Sequence, residues 1–167
     1  QDQAVRQALA YGFDREAYIA SYYKLDDKDA KLAYVPGMFG NPVSGANGAY
    51  IRGEEKVDGA TYYDYDVEKA KQILDDAGWT VGSDGIREKN GQKLSIKFLA
   101  TKEKDAMDTL IPMLQKQWGE LGVDFKANTM EFNTVISTVG DDSAVGDWDV
   151  SYLGFSYGSP EDTGVDY

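Results

Sequence analysis

Tyr65-Asp66-Val67-Glu68-Lys69-Ala70-Lys71-Gln72-Ile73-Leu74-Asp75-Asp76-Ala77-Gly78-Trp79 reads as a complete short helix with both ends marked. Asp66 stands where a carboxylate accepts from the free N–H groups of the first turn. Together with Glu68 it complements the positive end of the helix dipole. Val67, Ala70, Ile73, Leu74 and Ala77 recur at helical spacing, so one face is apolar. Gly78 supplies a left-handed residue without a Cβ penalty, and Trp79 follows where the next residue of such a cap packs back on Leu74.

Upstream, Val5, Ala8 and Leu9 form a short apolar stripe that Gly12 interrupts. Asp14 caps a second predicted helix from Arg15 to about Tyr23, with Glu16 in its first turn. Asp26-Asp27-Lys28-Asp29 lacks the glycine and distal glutamate of a calcium loop, so it reads as a solvated turn. Pro36 to Gly59 is rich in Gly, Pro, Asn and Ser and reads as a long irregular excursion. Its aromatics Phe39 and Tyr50 are assigned to core.

Downstream, Ile86 to Phe98 reads as a hairpin turning at Asn90-Gly91, a pair that tolerates the positive φ of a type I′ turn. Leu94, Ile96 and Phe98 alternate with Ser95 and Lys97, which predicts one buried face. A helix follows from about Glu103 to Leu121, with Met107, Leu110, Ile111, Leu114, Trp118 and Leu121 as its stripe. Pro112 falls inside it and predicts a kink or a later start. Gly122 closes this helix and Val123 to Ala127 reads as a strand. Strand, helix and strand in this order predict a right-handed crossover in a partly parallel sheet. Glu131 to Val139 is a further short helix with Phe132, Val135, Ile136 and Val139 on one face. Asp147 to Phe155 reads as the last strand, left by a turn at Ser156-Tyr157-Gly158-Ser159-Pro160. The fold class is therefore α/β (α+β), a mixed β-sheet flanked by helices.

A chain of 167 residues is one domain (1–167), 42% apolar, which suits a packed core. The net charge of −12 argues against nucleic acid and anionic membranes as partners. No apolar run is long enough to cross a bilayer, and no signal peptide precedes the first helix. With 0 His and 0 Cys, the chain lacks the pair needed for a Ser–His or Cys–His nucleophile. No Gly-rich loop follows a strand to cradle phosphate. Acid pairs such as Asp75-Asp76, Asp141-Asp142 and Asp147 with Asp149 are expected by chance among 29 acids. Neither catalytic residues, nor a metal site, nor a cofactor is expected, and the chain is read as a binder rather than an enzyme.

The candidate ligand contact is Asp147 to Pro160. Trp148, Tyr152, Phe155 and Tyr157 gather beside Gly154 and Gly158, so rigid aromatic area adjoins backbone that can be approached closely. The plain alternative is a core strand followed by a surface turn.

Four segments carry a resemblance. The quoted helix, with Lys69-Ala70-Lys71 and Ala77-Gly78-Trp79, is similar to a segment of the oligopeptide- and dipeptide-binding proteins of ABC importers, the family 5 extracellular solute-binding proteins. Val5-Arg6-Gln7-Ala8-Leu9-Ala10-Tyr11 with Asp14-Arg15-Glu16-Ala17 resembles an upstream helix of that family. Asp84-Gly85-Ile86 with Gly91-Gln92-Lys93-Leu94 resembles its hairpin. Leu114-Gln115-Lys116-Gln117-Trp118 with Leu121-Gly122-Val123 resembles a later helix, and all four keep the family's order. Val67 replaces a frequent proline, a preference only.

The resemblance implies the second lobe of a type II periplasmic binding protein, here a fragment of a larger two-lobed chain. It implies capture of oligopeptides between lobes and delivery to the importer's permease subunits, by a monomer. It implies an extracytoplasmic place, as a cell-surface lipoprotein or in the periplasm, with leader and lipid-bearing cysteine upstream. Tyr152, Gly154, Phe155, Ser156, Tyr157 and Gly158 are the implied ligand contacts. Gly154, Phe155 and Ser156 match the strand end that pairs with the peptide backbone. The family's amine-holding aspartate falls on Gly158, so that anchor is replaced, with Glu161 or Asp162 as substitutes, or absent. The reading from another class is a stand-alone protein-interaction domain using the aromatic patch near 148–157.

Overall fold

A computed structural model of the chain describes residues 2–23, 55–56, 58–102 and 105–153. The turn at Asp26–Asp29, nearly all of the 36–59 excursion with Phe39 and Tyr50, and Gly154 to Pro160 lie outside the described residues.

Helix α1 spans Gln3–Tyr11 and α2 spans Arg15–Tyr22. Asp2 caps the first by accepting from the Ala4 N–H at 2.9 Å, and Asp14 caps the second from Ala17 at 2.8 Å. The cap at Asp2 was not anticipated from sequence. Helix α3 is Val67–Asp76, and its cap is the expected one: Asp66 accepts from the Lys69 N–H at 2.9 Å. At its far end Gly78 has φ +84°. There the Gly78 N–H reaches the Asp75 carbonyl and the Trp79 N–H the Leu74 carbonyl, both at 2.9 Å. This double bond pattern is a Schellman cap. Ala70 and Leu74 are wholly buried as α3 packs on α1.

The Schellman geometry makes Gly78→Val costly, because a β-branched residue resists positive φ. The expected loss is about 1 kcal/mol or more, read as a lower denaturation midpoint. An unchanged midpoint would contradict the cap.

The stretch after α3 differs from one hairpin. Strands β1 (Thr80–Val81), β2 (Arg87–Lys89) and β3 (Gln92–Lys93) form a small antiparallel sheet in that order. Its turn is the expected one, with Asn90 at φ 52° and Gly91 at φ 75°. The Leu94 N–H still bonds to Arg87, but its carbonyl accepts from Asp124. From there β4 (Ser95–Thr101) leaves the hairpin and pairs in parallel with β5 (Asp124–Met130) over seven residues, Ser95↔Asp124 to Thr101↔Met130. Leu94, Ile96 and Phe98 are buried as expected, but so are Leu99 and Ala100, because β4 is a central strand covered on both faces.

Helix α4 (Asp105–Glu120) makes the crossover from β4 to β5. It runs through Pro112 unbroken. Pro112 and Asp108, whose carbonyl the ring displaces, both lie on the exposed side, where water replaces the lost bond. Met107, Leu110, Leu114, Trp118 and Leu121 are buried, and Ile111 is partly so. Helix α5 (Phe132–Val139) crosses the other face of the sheet. Of its predicted apolar face only Val135 is buried; Phe132 and Ile136 are 51% and 45% exposed. The last strand is also shorter than predicted: β6 is Val150–Ser151, parallel to β4, and the sheet order is β5-β4-β6.

Candidate functional site

Parallel sheets bind ligands in the crevice outside the carboxyl ends of their strands. Here those ends are Thr101, Met130 and Ser151. Tyr152 follows directly, its N–H bonded to the Leu99 carbonyl at 3.1 Å. That bond extends the ladder past β6 and fixes the backbone, while the residue stays 41% exposed. Of the six predicted contacts, Tyr152 is therefore placed at the strand end, and the other five, Gly154, Phe155, Ser156, Tyr157 and Gly158, lie outside the described residues. So do Glu161 and Asp162.

Helix α2 brings aromatic side chains to the same end. It packs on α4. At one end of α2 the Asp14 N–H donates to Gln117, in the last turn of α4. At the other, Tyr22 and Tyr23 adjoin Asp105 and Asp108 in the first turn, so the two helices are antiparallel. Four residues apart on α2, Tyr18 and Tyr22 stack with ring centres 5.9 Å apart and planes at 10°. Tyr23 meets Tyr22 edge-on at 4.8 Å, and Phe13 backs Tyr18 at 6.1 Å. Burial first, and then the neighbouring Tyr152, Tyr22 and Tyr23 hydroxyls, push the Tyr18 hydroxyl up to about 12. It is thus a neutral donor throughout the physiological range. Sequence reasoning assigned none of these three tyrosines to the site, although Tyr18, Tyr22 and Tyr23 within six positions were a compositional signal.

A cavity of about 520 Å³ opens beside them, lined by Ser21, Tyr22, Tyr23, Asp105, Asp108 and Thr109. Aromatic faces flanked by carboxylates suit apolar groups and cationic amines.

Other predicted features take structural parts. Trp148 lies at the amino end of β6, away from Tyr152, and lines two other cavities. Asp149 accepts from the Lys97 N–H at 2.8 Å and returns its own N–H to the Lys97 carbonyl at 2.9 Å. Asp141 caps the 3₁₀ turn Asp142–Ala144 through Ser143, which holds its carboxyl below the usual range. Both carboxylates thus bond to backbone N–H groups. No group of three metal-ligating side chains occurs among the described residues, and no described helix is long and apolar enough to cross a membrane.

The sequence and fold match known proteins. A family model described as bacterial extracellular solute-binding proteins, family 5 middle, matches residues 1–165. The oligopeptide-binding protein AppA of Bacillus subtilis (strain 168) is 27% identical over 157 residues, 93% of this chain and 26% of the relative. The oligopeptide-binding protein OppA of Lactococcus lactis subsp. cremoris (strain SK11) is 28% identical over 155 residues, 90% of this chain and 24% of the relative. Among solved structures, Bacillus subtilis AppA in complex with a nonapeptide superposes with a TM-score of 0.71 at 26% identity, over 93% of this chain and 28% of that one. NikA from Brucella suis in complex with Fe(III)-EDTA gives 0.70 at 26% identity, over 97% and 29%. The chain thus spans about a quarter of the length of the curated relatives it matches.

Proposed function

From the premise that this chain belongs to the bacterial extracellular solute-binding proteins of family 5, we propose that it is the ligand-contacting part of the second lobe of a two-lobed oligopeptide-binding protein. The parent captures a peptide between its lobes by hinge closure and delivers it to the permease of an ABC importer. It acts outside the cytoplasm, as a monomer, and binds without turnover. The observation that carries this reading is Tyr152, held by the β4 ladder at the carboxyl end of the sheet among the tyrosines of α2. Curated relatives of similar sequence are oligopeptide-binding proteins by name, which favours peptide over the iron chelate held by NikA.

In this reading the backbone after Tyr152 pairs with the peptide main chain, and Phe155 covers one of its side chains. Tyr18, Tyr22 and Tyr23 give rigid walls that accept many sequences, since aromatic faces select shape and apolarity rather than one residue. The acids at Asp105 and Asp108 draw a cationic end or side chain toward those walls. With Gly158 at the family's aspartate position, the ligand's amine is not held there.

Calorimetry of the complete parent with a mixed nonapeptide library tests this. Tyr152→Ala and Phe155→Ala are expected to weaken binding at least tenfold, about 1.4 kcal/mol each. The isolated 167-residue chain is expected to fold but to bind at least 100-fold more weakly, because half of the desolvated contacts are gone. Tight binding by the isolated chain, or unchanged affinity in both variants, would overturn the shared cleft and favour an interaction domain. Binding of Fe(III)-EDTA instead of peptide would overturn the ligand class alone.

A further inference from the structure

We infer that α5 and the groove at its carboxyl end are the seat on which the rest of the parent polypeptide packs. The inference rests on the reading of this chain as part of a larger protein.

Three observations meet here. The first is sequence: α5 reads Phe132-Asn133-Thr134-Val135-Ile136-Ser137-Thr138-Val139, and it is the only described helix without a charged residue, in a chain that is 28% charged. Its own polar residues are all neutral, and the charge at its N-cap, Glu131, is paired with Lys102. The second is exposure. Val135 is fully buried against the sheet, yet Phe132 and Ile136 are 51% and 45% exposed. Phe132, Ile136 and Val139 follow one another at helical spacing beside Val135, so the four form one apolar stripe that the sheet covers only in part. The third is the groove. Where the stripe ends, Val139 joins Val5, Leu9, Ile96, Trp148 and Val150 around a cavity of about 520 Å³. Val145, at 84% exposure, stands at the same cavity.

The occupant follows from charge and from length. A second copy of this chain also carries −12, so two copies repel. An anionic membrane surface is disfavoured for the same reason. A peptide ligand needs polar groups to fix its backbone. Here the Asp2 and Asp149 carboxylates in the lining already accept from Ala4, Trp79 and Lys97. A tethered segment of the same polypeptide needs no such groups, because its effective concentration is high without them. The curated relatives supply about three quarters of a chain beyond the part matched here, enough to cover this face.

The test is thiol labelling of the complete parent, with any natural cysteine replaced. Phe132→Cys and Ile136→Cys are compared with Gln72→Cys on exposed α3, each rate normalised to its value in urea. The expected result is labelling at least tenfold slower at 132 and 136 than at 72, at every protein concentration and with or without nonapeptide. Equal rates would overturn the inference. Protection lost on tenfold dilution would assign the face to a second copy instead, and protection that needs peptide would assign it to the ligand cleft. Peptide binding is measured on the same samples, so open thiols on a peptide-binding parent refute the seat alone. A second readout is Ile136→Lys. In the parent it is expected to lower Tm while Gln72→Lys does not; an unchanged Tm would count against the seat.

Discussion

Trp118→Ala is expected to cost roughly 3–5 kcal/mol of stability. Trp118 is 7% exposed and sits where α4 presses on both α1 and β5. Its ring meets Phe125 edge-on at 5.6 Å, and its Nε1–H donates to the Leu9 carbonyl at 3.1 Å. Alanine would leave a cavity among Leu9, Leu114 and Phe125, and would strip a buried carbonyl of its donor. A domain of this size is stable by roughly 5–15 kcal/mol, so the loss takes a large share of the total. It corresponds to a fall in Tm of about 10 °C. Trp118→Phe separates the two parts: it keeps most of the volume, so the remaining loss of about 1–2 kcal/mol belongs to the orphaned carbonyl. Urea denaturation of both variants measures this. A midpoint for Trp118→Ala within error of the parent's, or native Trp118 emission as red as in urea, would contradict the placement.

How much of this could be read in the sequence depends on the range of the interaction. The caps at Asp14 and Asp66 and the reversal at Gly78 were legible because each partner lies within five residues. The stripe of α4 was legible because burial follows the helical period. What was not legible depended on distant partners. Whether Leu94 to Phe98 stayed in the hairpin or left it was decided by Asp124, thirty positions on. The apolar face of α5 was legible but its exposure was not, because periodicity marks an apolar face, not what covers it. Pro112 was predicted to kink its helix or mark a later start, but nothing local indicated that its missing bond would face water.

The site divides in the same way. Tyr152 was reached through the family resemblance and through its aromatic neighbours in sequence. Tyr18, Tyr22 and Tyr23 were missed because they sit some 130 positions away, and only the packing of α2 on α4 carries them to the end of the sheet. Trp148 was named in the same aromatic cluster as Tyr152 by proximity in sequence. The strand separates it from Tyr152: it precedes β6 and Tyr152 follows it.

Arg87 is the largest case of a structural part that sequence alone did not show, and Arg87→Ala is expected to cost about 2–4 kcal/mol. Arg87 is buried on β2, only 3% exposed. Its Nε donates to the Leu121 carbonyl at 2.6 Å, and its terminal nitrogen reaches both the Trp79 carbonyl and the Asp75 carboxylate. One guanidinium thus joins the ends of α3 and α4 to the hairpin. The Arg87 N–H completes the junction by bonding to the Gly122 carbonyl at 2.7 Å. The chain makes room for it at Gly122, where a Cβ would lie 2.8 Å from the Arg87 Cγ.

The ion pair with Asp75 contributes little, because that carboxylate is 56% exposed and water screens it. The loss comes from the two carbonyls, each costing about 1–3 kcal/mol when left without a donor away from water. Asp75→Ala should therefore change stability by less than about 1 kcal/mol. Arg87→Lys should recover only part of the loss, because a single ammonium cannot span the three acceptors that a planar fork reaches. Denaturation midpoints for the three variants decide between the explanations. Equal losses for Arg87→Ala and Asp75→Ala would make the ion pair the source of stability and refute the carbonyl account.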